Sequence, residues 1–202
     1  EHVGAAIDRT RFEPWYAYFP AGYSLDTLGD KLRASLSEAA EREGVSRMAV
    51  VTYSLGGLVV RSALRPHDDG HEMPEIPLFI AASTPWAGTW RLGSWAWAVD
   101  APASWKDLKP GSDFLVHLLD DPLPDETRMH VLAGSGGNSR MVYGEDDTVV
   151  EVQALLTDEV LDEAETVMFW DYLTHFDMIS HPEALARIND LLDAGFSDAA
   201  PQ

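Results

Sequence analysis

The chain contains no cysteine. Disulfides, thiolate metal sites and a cysteine nucleophile are therefore excluded together. Positive charge is scarce as well: 14 Lys and Arg stand against 34 Asp and Glu, for a formal net charge of −20. Among the cations only Lys31, Lys106 and Lys109 are lysines. Nucleic-acid binders displace counterions with clustered Lys and Arg, so no nucleic acid is expected as a partner. An anionic membrane surface is disfavoured on the same ground. No uninterrupted apolar run approaches the ~18 residues that span a bilayer, so no stable membrane insertion is expected. Internal repeats and low-complexity tracts are absent too.

What is present is an ordinary globular composition, 46% apolar and 24% charged over 202 residues, enough for one sizeable core. Short apolar runs alternate with helical patterns. Trp15–Phe19, closed by Pro20-Ala21-Gly22, reads as a strand and turn. Leu28, Leu32 and Leu36 recur at helical spacing within a helix expected over Leu25–Glu43 and stopped by Gly44. Met48–Tyr53 reads as a buried strand, Leu55–Leu64 as a helix ending before Pro66, and the polar stretch Arg65–Pro77 as a surface loop. Further strands are expected at Leu78–Ala82, Met129–Ala133 and Thr166–Trp170. A last helix is expected over Pro182–Ala194, with Leu185, Ile188, Leu191 and Leu192 on one face and Gly195 as its terminator. This alternation predicts an α/β fold, a mostly parallel sheet flanked by helices.

One region lacks a clear period. The segment 84–110 holds most of the tryptophans, Trp86 to Trp105. It reads as a small Trp-rich insertion, either a surface subdomain packing its own aromatics or a cap over an apolar site, within a single domain over residues 1–202.

The chemical signal is Met48-Ala-Val-Val-Thr-Tyr-Ser54-Leu-Gly-Gly-Leu-Val59. An apolar strand runs directly into a serine and then into a helix rich in small residues, the context of a nucleophile elbow. The serine of such an elbow sits in a strained turn that lifts its hydroxyl above the sheet edge. Its neighbours two positions away must be small. Gly56 satisfies that demand, whereas Thr52 stands where the G-x-S-x-G pattern has glycine. The backbone N–H of Leu55 opens the helix and is the candidate donor to an oxyanion.

With these residues the sequence resembles an α/β-hydrolase of the lipase and esterase type, nearest to the GPI-inositol-deacylase-like and lecithin:cholesterol-acyltransferase-like lipases. The resemblance extends from about Tyr18 to Leu192. It is carried by Tyr18-Phe-Pro-Ala-Gly-Tyr-Ser-Leu25, Thr52-Tyr-Ser-Leu-Gly-Gly57, Ala82-Ser-Thr-Pro-Trp-Ala-Gly88 and Gly144-Glu-Asp-Asp-Thr-Val-Val150. In this fold the order is serine, acid, histidine. The resemblance implies Ser54 as nucleophile, Asp147 as acid with Asp146 as competitor, and His175 as base with His181 as competitor. The family's second oxyanion donor, from a His-Gly loop after an early strand, has no counterpart here. Glu1-His2-Val3-Gly4 separates its histidine from its glycine and has no strand ahead of it. The expectation is thus a chain lacking the family's first strands. Loss of one oxyanion donor typically lowers the rate by about 10²–10³.

Other polar residues have plainer readings. His67, Asp68, Asp69, His71 and Glu72 are metal-ligand types on a loop, read as solvated, so no metal and no cofactor is expected. His117 and His130 read as structural side chains, and Arg61 and Arg65 as cations favoured by a helix C-terminus. The expected activity is cleavage of a small-molecule or lipid carboxylic ester through an acyl-enzyme. The alternatives are an acyltransferase with the same triad, or an inactive hydrolase-fold binding module.

Overall fold

The β-branched and apolar runs assemble into one parallel sheet. The computed structural model describes residues 2–20, 22–92, 100–137 and 144–196. In it β1 (Arg47–Tyr53), β2 (Glu75–Ala82), β3 (Arg128–Gly134) and β4 (Thr166–Trp170) lie side by side in chain order. All three pairings are parallel, with Tyr53 opposite Ala82, Ala82 opposite Leu132 and Gly134 opposite Trp170. Parallel neighbours need crossovers, which brings every strand's carboxyl end to the same edge, where ligands bind in such sheets. Pro77 lies inside β2, a position that removes a ladder donor. The β1–β2 register shifts between Arg47 and Ala49 and accommodates it.

The helices are α1 (His2–Ala6), α2 (Leu25–Glu43), α3 (Leu55–Ala63), α4 (Ala103–Asp107), α5 (Asp113–His117), α6 (Val152–Leu155), α7 (Asp158–Glu163) and α8 (Pro182–Phe196). The ends of α2 follow from local chemistry. Ser24 Oγ accepts the Thr27 N–H at 3.2 Å, and Gly44, at φ 68°, donates to the Ala40 and Glu41 carbonyls. Period-two alternation divides the sheet between two apolar layers. Phe79, Ala81, Met129 and Val131 face α2, α3, α5 and α7 through Leu25, Leu28, Leu58, Phe114, Leu115 and Val160. Leu78, Ile80, Ala82 and Leu132 face α8 through Ala184, Ile188, Leu191 and Leu192. Among the described residues no helix is long and apolar enough to cross a membrane.

Four expectations change. Trp15–Phe19 is not a strand: it has no ladder partner among the described residues, and Tyr18 is 87% exposed. Aromatic content alone makes no strand without a neighbour to pair with. The loop expected over Arg65–Pro77 gives way to β2 at Glu75. Gly195 does not end the last helix, which runs on to Phe196. A Cβ at Gly195 would press on Leu78 Cδ2 at 3.1 Å, while Phe196 is anchored edge-on to Phe12 and under the Arg47 guanidinium. That glycine serves close packing of helix on sheet.

Arg61 is the fourth. It is fully buried, and both Nε and an Nη reach the Glu163 carboxylate, at 3.2 and 2.9 Å, while Nη2 also donates to the Asp121 carbonyl. Its role is to tie α3 to α7 and to the chain after α5, rather than to complement a dipole. Arg65 pairs with Asp26 at 2.6 Å.

The segment expected as an insertion is described at its two ends, and residues 93–99 lie outside the described residues. Trp86 is a core residue, edge-on to Phe79 at 6.4 Å. At the other end Leu108 is buried in the same core, and Asp107 accepts the Leu25 N–H at 2.6 Å. Burial raises the Asp107 pKa, the Leu25 hydrogen bond opposes that rise, and nearby Asp26 adds to it.

Candidate active site

β1 ends where its extended backbone can no longer continue. Ser54 has φ 54° and ψ −129°, and α3 begins at the next residue. Few non-glycine residues sit at positive φ, and this one is locked from both sides. Its N–H donates to the Ala82 carbonyl at 2.8 Å and its carbonyl accepts the Gly57 N–H at 3.1 Å. The turn places the hydroxyl at the carboxyl edge of the sheet, with the Leu55 N–H at the first position of α3.

The tightest approach to α3 falls one residue later than the motif suggests and comes from the chain after β2. A Cβ on Gly56 would meet only Thr52 Cβ, at 3.7 Å, an ordinary contact. Thr52 therefore fits where the pattern has glycine, and its hydroxyl donates to the Ile80 carbonyl at 3.0 Å. A Cβ on Gly57 would collide with the side chain of Thr84, which follows β2.

The residues expected to carry the chemistry meet at this edge although 93 and 28 positions separate Ser54, Asp147 and His175 in turn. His175 Nε2 lies 3.0 Å from Ser54 Oγ, and its Nδ1 lies 2.6 Å from Asp147 Oδ2. The other Asp147 oxygen accepts the N–H groups of Val149 at 3.0 Å and Val150 at 2.8 Å. The His175 N–H donates to the Asp147 carbonyl at 2.5 Å, pinning the two loops at the backbone as well. Asp147 and His175 are buried, while Ser54 is half-buried. This is a continuous path from an accessible hydroxyl to a carboxylate fixed by backbone donors.

Two rings bracket the imidazole. Tyr53 lies 4.9 Å from it, centroid to centroid, and Phe176 lies 5.8 Å away, nearly perpendicular. Burial, and after it the charge of Asp147, pushes the Tyr53 hydroxyl up to about 12. Phe176 is 66% exposed beside the buried His175, so it presents apolar surface at the rim. Asp177 closes the histidine loop by accepting from the Thr174 hydroxyl at 2.6 Å and its N–H at 2.9 Å, and these bonds hold its carboxyl below the usual range.

The competing residues lie elsewhere. Asp146 turns to Arg91 at 3.1 Å. His181 precedes α8 and its Nδ1 accepts the Glu183 N–H at 3.4 Å. His67 is engaged with the Arg65 carbonyl and Asp30, and Asp69 with Arg33. Among the described residues no group of three or more His, Asp or Glu could hold a metal ion. His117 stands exposed beside Asp120, whereas His130 is buried with Nδ1 2.7 Å from Thr166 Oγ1. Sequence reasoning missed Arg61, whose only local signal is a cation set among the apolar and small residues Leu58–Ala63. Arg91 gave no local signal at all, and Asp146 was singled out only as a competitor for the acid.

A four-stranded parallel sheet with helices on both faces and a strained strand–serine–helix turn at its carboxyl edge is the α/β-hydrolase fold, and the chain has it. Residues 21–108 match the family described as "Putative serine esterase (DUF676)". No curated protein sequence matches the chain. Among solved structures, the mature Bacillus licheniformis lipase BlEst2 aligns over 87% of this chain and 74% of its own, with 21% identity and a TM-score of 0.62. A carboxylesterase structure from the thaumarchaeon Nitrososphaera gargenis aligns over 89% and 75%, with 13% identity and a TM-score of 0.55. Legionella pneumophila phospholipase PlaB aligns over 89% of this chain but 50% of its own, with 17% identity and a TM-score of 0.57. At these identities the structural likeness speaks to fold. Together with the family match it supports esterase or lipase function in the general sense.

Proposed function

We propose that this chain is a serine hydrolase that cleaves carboxylic esters through Ser54, His175 and Asp147. The observation that carries the reading is the unbroken hydrogen-bond path from Ser54 Oγ through both imidazole nitrogens to Asp147. Ser54 Oγ attacks the ester carbonyl carbon while His175 Nε2 takes its proton. Asp147 holds the Nδ1–H tautomer and stabilises the imidazolium that forms. The Leu55 N–H donates to the oxyanion. Collapse of the tetrahedral intermediate expels the alcohol, protonated by His175, and leaves an acyl group on Ser54. Water, deprotonated by the same nitrogen, then releases the acid. The exposed Phe176 ring beside the base favours a substrate with an apolar group.

The test is intact-mass spectrometry after fluorophosphonate treatment of the wild type and of Ser54→Ala. A single adduct on the wild type, mapped to Ser54 and lost in the variant, is expected. A folded wild-type sample that takes up no adduct overturns the assignment.

A further inference from the structure

We infer that Arg91 is a positioning residue for the triad: by neutralising Asp146 it keeps the loop that carries Asp147 in place beneath His175. The inference rests on the triad reading above and assigns a residue that this reading does not use.

Asp146 and Asp147 are consecutive in the chain, and both carboxylates are buried. Their tasks differ. Asp147 faces His175, whereas Asp146 organises the loop itself. Its Oδ1 accepts the Thr148 N–H at 2.7 Å, and its carbonyl accepts the Gly137 N–H at 2.9 Å. Thr148 sits at φ 88°, a conformation a β-branched residue rarely adopts without external support. The bond from Asp146 supplies that support at the residue leading into Val149 and Val150. Those two residues donate the N–H groups that hold Asp147 Oδ1. The hydrogen bonding of the acid therefore depends on its neighbour.

A second buried carboxylate beside the first is tolerable only when paired. Arg91 Nη1, 3.1 Å from Asp146 Oδ2, is the pairing cation. It comes from the segment after β2, which is also tied to the acid loop through Thr89. Thr89 Oγ1 accepts the Arg91 N–H at 3.1 Å and donates to Glu151 Oε2 at 2.9 Å. Glu151 in turn pairs through its backbone with Asp146 across an antiparallel bridge. Asp146, Asp147, Glu151, Arg91 and His175 thus form one connected cluster, closed on the β1 side by the Tyr53 ring.

The experiment compares wild type, Arg91→Met, Arg91→Lys, Asp146→Asn and the double variant Arg91→Met/Asp146→Asn. It reads kcat and KM on p-nitrophenyl butyrate, the rate of fluorophosphonate labelling, and folding by circular dichroism. Arg91→Met is expected to lower kcat by about 10- to 100-fold, the scale of an orphaned buried partner, with KM within about twofold. Arg91→Lys is expected to recover part of the loss. In the double variant residue 146 carries no charge that has lost its cation, and the asparagine keeps a carbonyl for the Thr148 N–H. It is expected to return to within about fivefold of wild type. A folded Arg91→Met with wild-type kcat, or a double variant no better than Arg91→Met, overturns the inference. Should Arg91→Met alone not fold, a folded and active double variant supports it, and a double variant that is unfolded or inactive overturns it. Absence of Ser54 labelling in the wild type is the separate result that overturns the triad reading itself.

Discussion

Replacing Ser54 by glycine should make the protein more stable than replacing it by alanine, although both changes remove the same hydroxyl. At φ 54° and ψ −129° the Cβ of residue 54 is strained, by about 1–3 kcal/mol for such a conformation. Alanine keeps that Cβ and glycine removes it. Both variants lose the hydrogen bond to His175, so that term cancels in the comparison. Glycine also gains freedom in the unfolded chain, which offsets about 0.5–1 kcal/mol. The net advantage of glycine is roughly 0.5–2 kcal/mol, or about 1–8 °C in melting temperature for a chain of this size. Differential scanning calorimetry at neutral pH reads the difference, and activity does not complicate it because neither variant has a nucleophile. If Ser54→Gly melts at or below Ser54→Ala, the turn stores no strain in its Cβ and the argument for a locked, pre-aimed hydroxyl fails.

Three other outcomes follow from the geometry. Gly57→Ala, whose Cβ would collide with Thr84, should lose about 1–3 kcal/mol in urea unfolding, while Gly56→Ala should stay within about 0.5 kcal/mol; equal losses would show that the crowding is misplaced. Arg61→Met strands a largely buried Glu163 carboxylate and should lower stability by about 2–4 kcal/mol; an unchanged urea midpoint would remove the clamp between α3 and α7. Burial lowers the His130 pKa, so the fold favours the neutral ring. That contribution is complete above the unfolded-state value of about 6.5 and is lost as pH falls below it towards the folded-state value. The melting temperature of His130→Asn should therefore fall less than that of wild type between pH 7.5 and 5.5, as followed by circular dichroism, and parallel curves would refute it.

The strands β1 to β4, the long helices α2, α3 and α8, and the serine at a strand–helix junction were legible from residue order, because each depends on local pattern. A short apolar run, period 3.6 and a stopping glycine act over a few residues. The same rules failed where a partner outside the window decided the outcome. Trp15–Phe19 has strand composition without a neighbouring strand. Gly195 resembles a terminator, yet it packs on Leu78. Asp146 and Asp147 are adjacent and chemically identical, so local pattern alone could not separate them. Resemblance to a family favoured Asp147, and the folded loop turns Asp147 to His175 and Asp146 to Arg91. Likewise the pair of buried Arg61 and partly exposed Glu163 joins residues 102 positions apart. Sequence by itself determined the elements and the kinds of chemical group available. The tertiary structure decided which groups meet, because hydrogen bonds, ion pairs and steric limits act through space and join segments that no local period connects.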